Sequence, residues 1–173
     1  MKSVPWRYVH SWECILCGIC CGPYVVSLTL KEWTRIVQTY GVRVTQPGID
    51  GFYLKKNANG RCVFQIKLGD MWLCAIQHMK PRACKLWPFR IYLKPKHGRA
   101  DEALYNYRGH RLFVYVDPLC RGLTWGRPGE RLLHKTLPEV AEIKLGLREG
   151  QRYSTALLSY KPIITANPRV IKI

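Results

Sequence analysis

The sequence predicts an α+β fold: a small domain of short antiparallel hairpins and about two helices over residues 1–160, followed by an extended basic tail over 161–173. Three observations lead there. Short apolar segments alternate with turn-forming pairs, two amphipathic stretches carry helix-start signals, and eight cysteines are spread through the chain. A length of 173 residues corresponds to one domain, and 47% hydrophobic against 23% charged residues permits a buried core.

Taken in order, Tyr24–Leu28 reads as a short Val-containing strand. Thr29 and Glu32 then form a capping box, with Leu30, Trp33, Ile36, Val37 and Tyr40 at helical spacing and Gly41 as the stop. That helix is expected to bury all five against the strands, Trp33 included. Gly51–Lys55, Arg61–Ile66 and Met71–Ile76 read as strands of a meander, turning at Asn59-Gly60 and Gly69-Asp70. Leu104–Tyr107 and Arg111–Val116 make a hairpin through Arg108-Gly109-His110; its aromatics Tyr105, Tyr107, Phe113 and Tyr115 suit either a core or base stacking. Leu137–Leu147 is the second helix, with Thr136 and Glu139 as its capping box and Pro138 in the first turn. The stretch Lys161–Ile173, with Pro162, Pro168 and no periodicity, is the tail.

Several function classes are disfavoured. The longest charge-free stretch, Cys14–Leu30, holds four cysteines, two glycines and Pro23, which suits neither a membrane helix nor a leader, so a cytoplasmic protein without membrane partners is expected. Dinucleotide, P-loop, HExxH and nucleophile-elbow motifs are missing, and Asp101-Glu102, the densest acidic cluster, reads as a solvated turn. No small-molecule substrate is indicated.

Chemistry concentrates in the cysteines. Cys14, Cys17, Cys20 and Cys21 form C-x-x-C-x-x-C-C, followed by Cys62, Cys74, Cys84 and Cys120. The first three share the spacing of ferredoxin-type ligands, which predicts a [4Fe-4S] cluster in at least one site; zinc is the alternative or second metal, since four thiolates also make a structural zinc shell. Neighbouring side chains on extended backbone point to opposite faces, so Cys21 is expected to serve a different centre from Cys20, and eight thiols divide into two shells of four. Disulfides alone are a lesser alternative in a reducing compartment. His78, four residues after Cys74, is left out of the ligand set.

These residues resemble the CxxCxxCC family of zinc- or iron-chelating domains, related to flagellin lysine N-methylase. The resemblance is carried by Trp12-Glu13-Cys14 through Cys21, by Gly60-Arg61-Cys62, by Cys74 with Pro81, Cys84, Pro88 and Phe89, and by Cys120 with Gly122. Trp12 and Trp87 stand where the family has Phe, and Lys80 where it has Arg before Pro81. The resemblance implies metal binding, and more weakly a cluster-dependent enzyme like the methylase or a metal carrier or redox protein.

Charge supplies the remaining expectation. The net charge is +17, far more than solubility needs. It is concentrated: residues 51–100 carry eleven bases and one acid, and residues 151–173 carry four bases and none, while residues 101–150 are nearly balanced. A polyanion relieves such repulsion, and structured RNA, ribosomal RNA with neighbouring ribosomal proteins in particular, is the expected partner. The candidate contacts are Lys55, Lys56, Arg61, Lys67, Lys94, Lys96 and Arg99, then Arg152, Lys161, Arg169 and Lys172 from the segment leading into and through the tail. Metal centres that hold basic loops rigid are the simplest way to combine both signals.

Overall fold

The computed structural model describes residues 2–22 and 24–156; the tail cations Lys161, Arg169 and Lys172 lie outside the described residues. In chain order the elements are β1 (Val4–Pro5), β2 (Val9–Trp12), β3 (Ser27–Leu28), α1 (Leu30–Tyr40), β4 (Thr45–Gly48), β5 (Gly51–Leu54), β6 (Gln65–Leu68) and β7 (Met71–Cys74). They continue with α2 (Arg82–Leu86), β8 (Phe89–Tyr92), α3 (Ala100–Ala103), β9 (Leu104–Tyr107), β10 (His110–Val116), β11 (Leu123–Trp125) and α4 (Leu137–Leu145). The fold is α+β, with every strand pairing antiparallel. The two longer helices are those read from the periodicity; α2 and α3 are single turns that it did not reveal.

The larger core is organised by β10. This strand pairs with β8 along one edge and with β9 and then β1 along the other, so it is central and buried on both faces from Leu112 to Val116. Strand alternation sends Leu112, Val114 and Val116 toward Trp6, Phe89 and Ile91 and the Leu137, Val140 and Ala141 face of α4. Phe113 and Tyr115 face the opposite way and join Ala103 in a smaller cluster. Tyr105 and Tyr107 pack at the rim of the larger core, so the hairpin aromatics build core rather than a stacking platform. The β9–β10 hairpin forms where expected, but its turn is one residue shorter: Arg108 and Gly109 take φ of 47° and 82°, which suits a two-residue hairpin, and His110 pairs with Tyr107 in the ladder.

A second core lies around α1. Both halves of the Thr29–Glu32 capping box form, and Ile36 is buried against Val26, Leu28, Leu54, Phe64 and Ile76. Trp33 stacks on Phe52 at 4.2 Å and donates from its indole to the Thr45 hydroxyl, so it packs, though only half-buried. Leu30 departs from the expectation at 68% exposed, because six residues place it about 120° around the helix from the buried Ile36. The meander is also rearranged: β5 pairs with β3 and with β4, which contains Pro47, while β6 and β7 form a separate hairpin around Gly69-Asp70. Asn57 takes over the first turn by accepting the amides of Asn59 and Arg61, leaving a single Lys56–Cys62 bridge where a longer strand was expected.

The capping box expected at Thr136 and Glu139 does not form. Helix α4 continues from a π-form turn, Leu132–Thr136, so Thr136 has helical backbone and makes no cap. Glu139, 1% exposed, instead accepts the amides of Arg152, Tyr153 and Ser154, the Ser154 hydroxyl and the Arg148 guanidinium. A carboxylate needs donors when buried, and the returning chain supplies them. Burial opposes its ionisation, but the bonds from Ser154, Arg152 and Tyr153 outweigh it and hold the Glu139 carboxyl below its ordinary value. Its contribution is therefore complete above the unfolded-state pKa and is lost as pH falls through the folded one. Glu139→Gln is expected to lower stability by about 3 kcal/mol at neutral pH and to flatten the acid side of the stability profile, as urea unfolding across pH will show.

Candidate metal centre and the basic loops around it

The segment from Cys14 to Cys21 has one regular element, a 3₁₀ turn over Ile19–Cys21, and is otherwise fixed by contacts made across the fold. The Glu13 amide donates to the Gly122 carbonyl, the Trp72 amide to Leu16, the Gln65 side-chain amide to Gly18 and the Cys62 amide to Cys21, all at 2.8–3.0 Å. Two glycines permit this closeness. Gly18 has φ of 70° and would drive a Cβ into Gln65 and Trp72 at 2.5–2.7 Å; at Gly122 a Cβ would lie 1.8 Å from the Glu13 carbonyl oxygen.

The 3₁₀ turn corrects the expected directions of Cys20 and Cys21. On extended backbone they would diverge, but the turn brings their sulfurs to 3.8 Å. All eight cysteines are free thiols and half-buried. They fall into two neighbourhoods. Cys14, Cys17 and Cys120 lie close enough for their charges to act on one another, and Cys14 also feels Cys20. Cys21 feels Cys84 and Cys62, and Cys84 feels Cys74 and Cys62. Cys20 adjoins both, acting on Cys62, Cys74 and Cys84 as well.

The surroundings suit metal-bound thiolates. Burial pushes the Cys14, Cys62, Cys74 and Cys120 thiols up, but each sulfur also accepts the amide two residues further on, from Leu16, Phe64, Ile76 and Gly122 respectively, which favours the anion. Cys120 accepts the Trp12 indole N–H too, at 3.2 Å. Such donors orient a thiolate and spread its charge, the role of outer hydrogen bonds at a metal centre. Among the described residues no three His, Cys, Asp or Glu side chains form a closed ligand shell. Binding a metal therefore requires the thiols to draw closer together than they stand here. Asp117 went unnoticed in the sequence: 5% exposed, it accepts from Arg90, Tyr24 and the Leu119 amide, and its own carbonyl accepts the Cys120 amide. No local spacing announces that role, because its partners come from three separate segments.

The basic residues occupy loops and edges near these thiols and beyond. Lys55 and Lys56 follow β5, and the Lys56 ammonium acts on Cys62. Arg61 and Lys67 both lie over the Trp72 ring, at 4.2 and 5.7 Å. Lys94, Lys96 and Arg99 line the β8–α3 connection, with Lys96 over Tyr92 and Arg99 over Tyr8. Arg152 lies over Tyr153. Among the described residues none of these eight cations forms an ion pair; the pairs instead involve Lys31, Arg90, Arg108, Arg131, His134 and Arg148. No helix among the described residues is long and apolar enough to cross a membrane.

Comparison with known proteins agrees with the thiol arrangement. The model of the CxxCxxCC family, described as "Putative zinc- or iron-chelating domain", matches residues 13–120, more than half of the chain, and the chain belongs to that family. No curated protein and no solved structure matches it. The match ends at Cys120, whose approach to Cys14 depends on the Glu13–Gly122 contact. Gly122→Ala is expected to lower stability by about 3 kcal/mol and to reduce the bound metal, whereas Gly150→Ala, with open space around it, changes stability by less than about 0.5 kcal/mol; thermal unfolding with metal analysis distinguishes them.

Proposed function

We propose that this member of the CxxCxxCC family is a metal-stapled RNA-binding protein, with its metal centres in a structural role and ribosomal RNA as the partner its charge fits best. Metal chelation follows from the family; the finer reading is two centres. Cys14, Cys17, Cys20 and Cys120 would hold a [4Fe-4S] cluster, as the ferredoxin-like spacing of the first three suggests. Cys21, Cys62, Cys74 and Cys84, drawn from separated segments, would hold zinc. Closing either shell ties the Cys14–Cys21 loop to distant parts of the chain, and structural zinc in small thiolate sites contributes roughly 10 kcal/mol or more to folding.

The observation that carries the RNA reading is the set of eight cations with no carboxylate partner among the described residues, five of them held over aromatic rings. A cation held over an aromatic ring keeps donors free for phosphate oxygens, and loses less freedom on binding than a free side chain. The Arg61–Trp72–Lys67 group also leaves the ring close to any strand those cations engage. Internal ion pairs would cancel this potential, and here they form elsewhere.

The test is binding to structured ribosomal RNA over a range of salt concentrations, using metal-loaded protein. Affinity is expected to fall linearly with salt on logarithmic axes, and Arg61→Ala with Lys67→Ala to reduce the slope by about 2 while metal content stays unchanged. Salt-independent binding, or an unaltered slope, would refute the RNA reading. Anaerobic preparation, metal analysis and visible absorption test the centres separately: Cys17→Ala should remove iron and colour, and Cys84→Ala should remove zinc.

A further inference from the structure

A cleft of about 290 Å³ opens between the start of α1, the His78–Lys85 segment and the chain that leaves α4 at Gly146–Gly150. Six cations line it: Lys31, Arg35, Lys80, Arg82, Lys85 and Arg148. Only Glu32 and Glu149 oppose them, and both are engaged. Glu32 spends one oxygen on the Thr29 capping box and the other on the Arg82 amide, while Glu149 pairs with Lys31 at 2.9 Å. Arg148 is turned to Glu139 and Glu142, and Lys85 donates to the Glu149 carbonyl. Arg35, Lys80 and Arg82 are left without a carboxylate partner among the described residues.

Unpaired cations normally spread into solvent, where repulsion between them is screened. These are set around one concavity by three separate segments, so the repulsion is built into the fold. Its effect reaches Lys144: burial first, and then the Arg82 guanidinium, push that ammonium below its ordinary value. A ligand of high negative charge density removes the repulsion and meets guanidinium donors suited to its oxygens.

The geometry points to this cleft as a binding site for a phosphorylated anion, with Arg35 and Arg82 as the principal contacts. Pyrophosphate and larger phosphorylated groups fit its volume. This assignment rests on the cleft alone and stands whether or not the loops between residues 55 and 99 bind RNA. The same phosphate chemistry could come from a small phosphorylated metabolite or from the 5′ end of an RNA, and the experiment separates them.

Pyrophosphate is titrated calorimetrically into metal-loaded full-length protein at constant ionic strength. Arg35→Gln with Arg82→Gln is expected to weaken binding at least tenfold, with melting temperature and metal content unchanged. Arg43→Gln removes an exposed charge outside the cleft and should change affinity less than twofold. If the double variant does not fold, the single variants, each expected to lose about threefold, give the same readout. Competition by a 5′-phosphorylated RNA oligonucleotide but not by its 5′-hydroxyl form would assign the cleft to RNA ends. Failure of both to compete, with pyrophosphate bound, would assign it to a small metabolite. Equal weakening by Arg43→Gln, equal binding of citrate, or no saturation by about 1 mM pyrophosphate would overturn the assignment.

Discussion

Two hydrophobic clusters share one loop of cysteines, and neither cluster alone fixes that loop's shape. Cys14 and Cys120 pack at the rim of the β10–α4 core, whereas Cys62, Cys74 and Cys84 pack at the rim of the core under α1. Cys20 and Cys21, with sulfurs 3.8 Å apart, lie where the two neighbourhoods meet. A segment with a single 3₁₀ turn has few backbone bonds of its own, so its order depends on bonds sent from Gly122, Trp72, Gln65 and Cys62, and on whatever closes the thiols. Metal ligation is suited to this because it joins residues far apart in sequence without requiring a continuous apolar interface.

That dependence explains how the chain can carry so much uncompensated charge. Repulsion among seventeen excess positive charges opposes the compact state, and the two proposed thiolate shells, each of which would carry about two net negative charges, would offset only a small part of it. The fold places its acids where they do structural work: Glu139 gathers the returning chain, Asp117 sets the turn before Cys120, and Glu32 caps α1. These carboxylates are used by the backbone and by nearby donors, Arg90 among them, and among the described residues Lys55, Lys56, Arg61, Lys67, Lys94, Lys96 and Arg99 are left without an ion pair. A chain with the same net charge but its acids spread among those loops would present a far weaker positive potential there.

Local signals made part of this legible from sequence, and tertiary contacts hid the rest. The Thr29–Glu32 box and the Arg108-Gly109 hairpin were readable because their decisive contacts are within a few residues. Thr136 and Glu139 have the same spacing and misled, because Glu139 meets donors from residues 148–154 that outcompete a local cap. Strands β1 and β8 escaped notice since each is at most four residues long and owes its pairing to β10, distant in the chain. The C-x-x-C-x-x-C-C run revealed the chemistry, yet the directions of Cys20 and Cys21 depended on a turn that follows a left-handed Gly18. The cationic cleft had no signature at all, being assembled from three segments that are unremarkable singly.

Lys80 connects the two parts of the molecule that matter most. Its ammonium lines the cleft, and its charge also favours the thiolate forms of Cys14, Cys20, Cys74 and Cys84. It lies between Cys74 and Cys84 in sequence, so the chain that delivers those two sulfurs also delivers this cation. A thiolate shell around a divalent metal retains negative charge, and a cation beside it reduces the cost of holding that charge in a partly dry interior. A bulky apolar residue at position 80 would leave both sulfurs in place and forfeit this compensation, while the cleft would lose one of the three cations that have no carboxylate partner among the described residues. The charge that makes the surface hostile to other cations is, at this position, what makes the interior hospitable to thiolates.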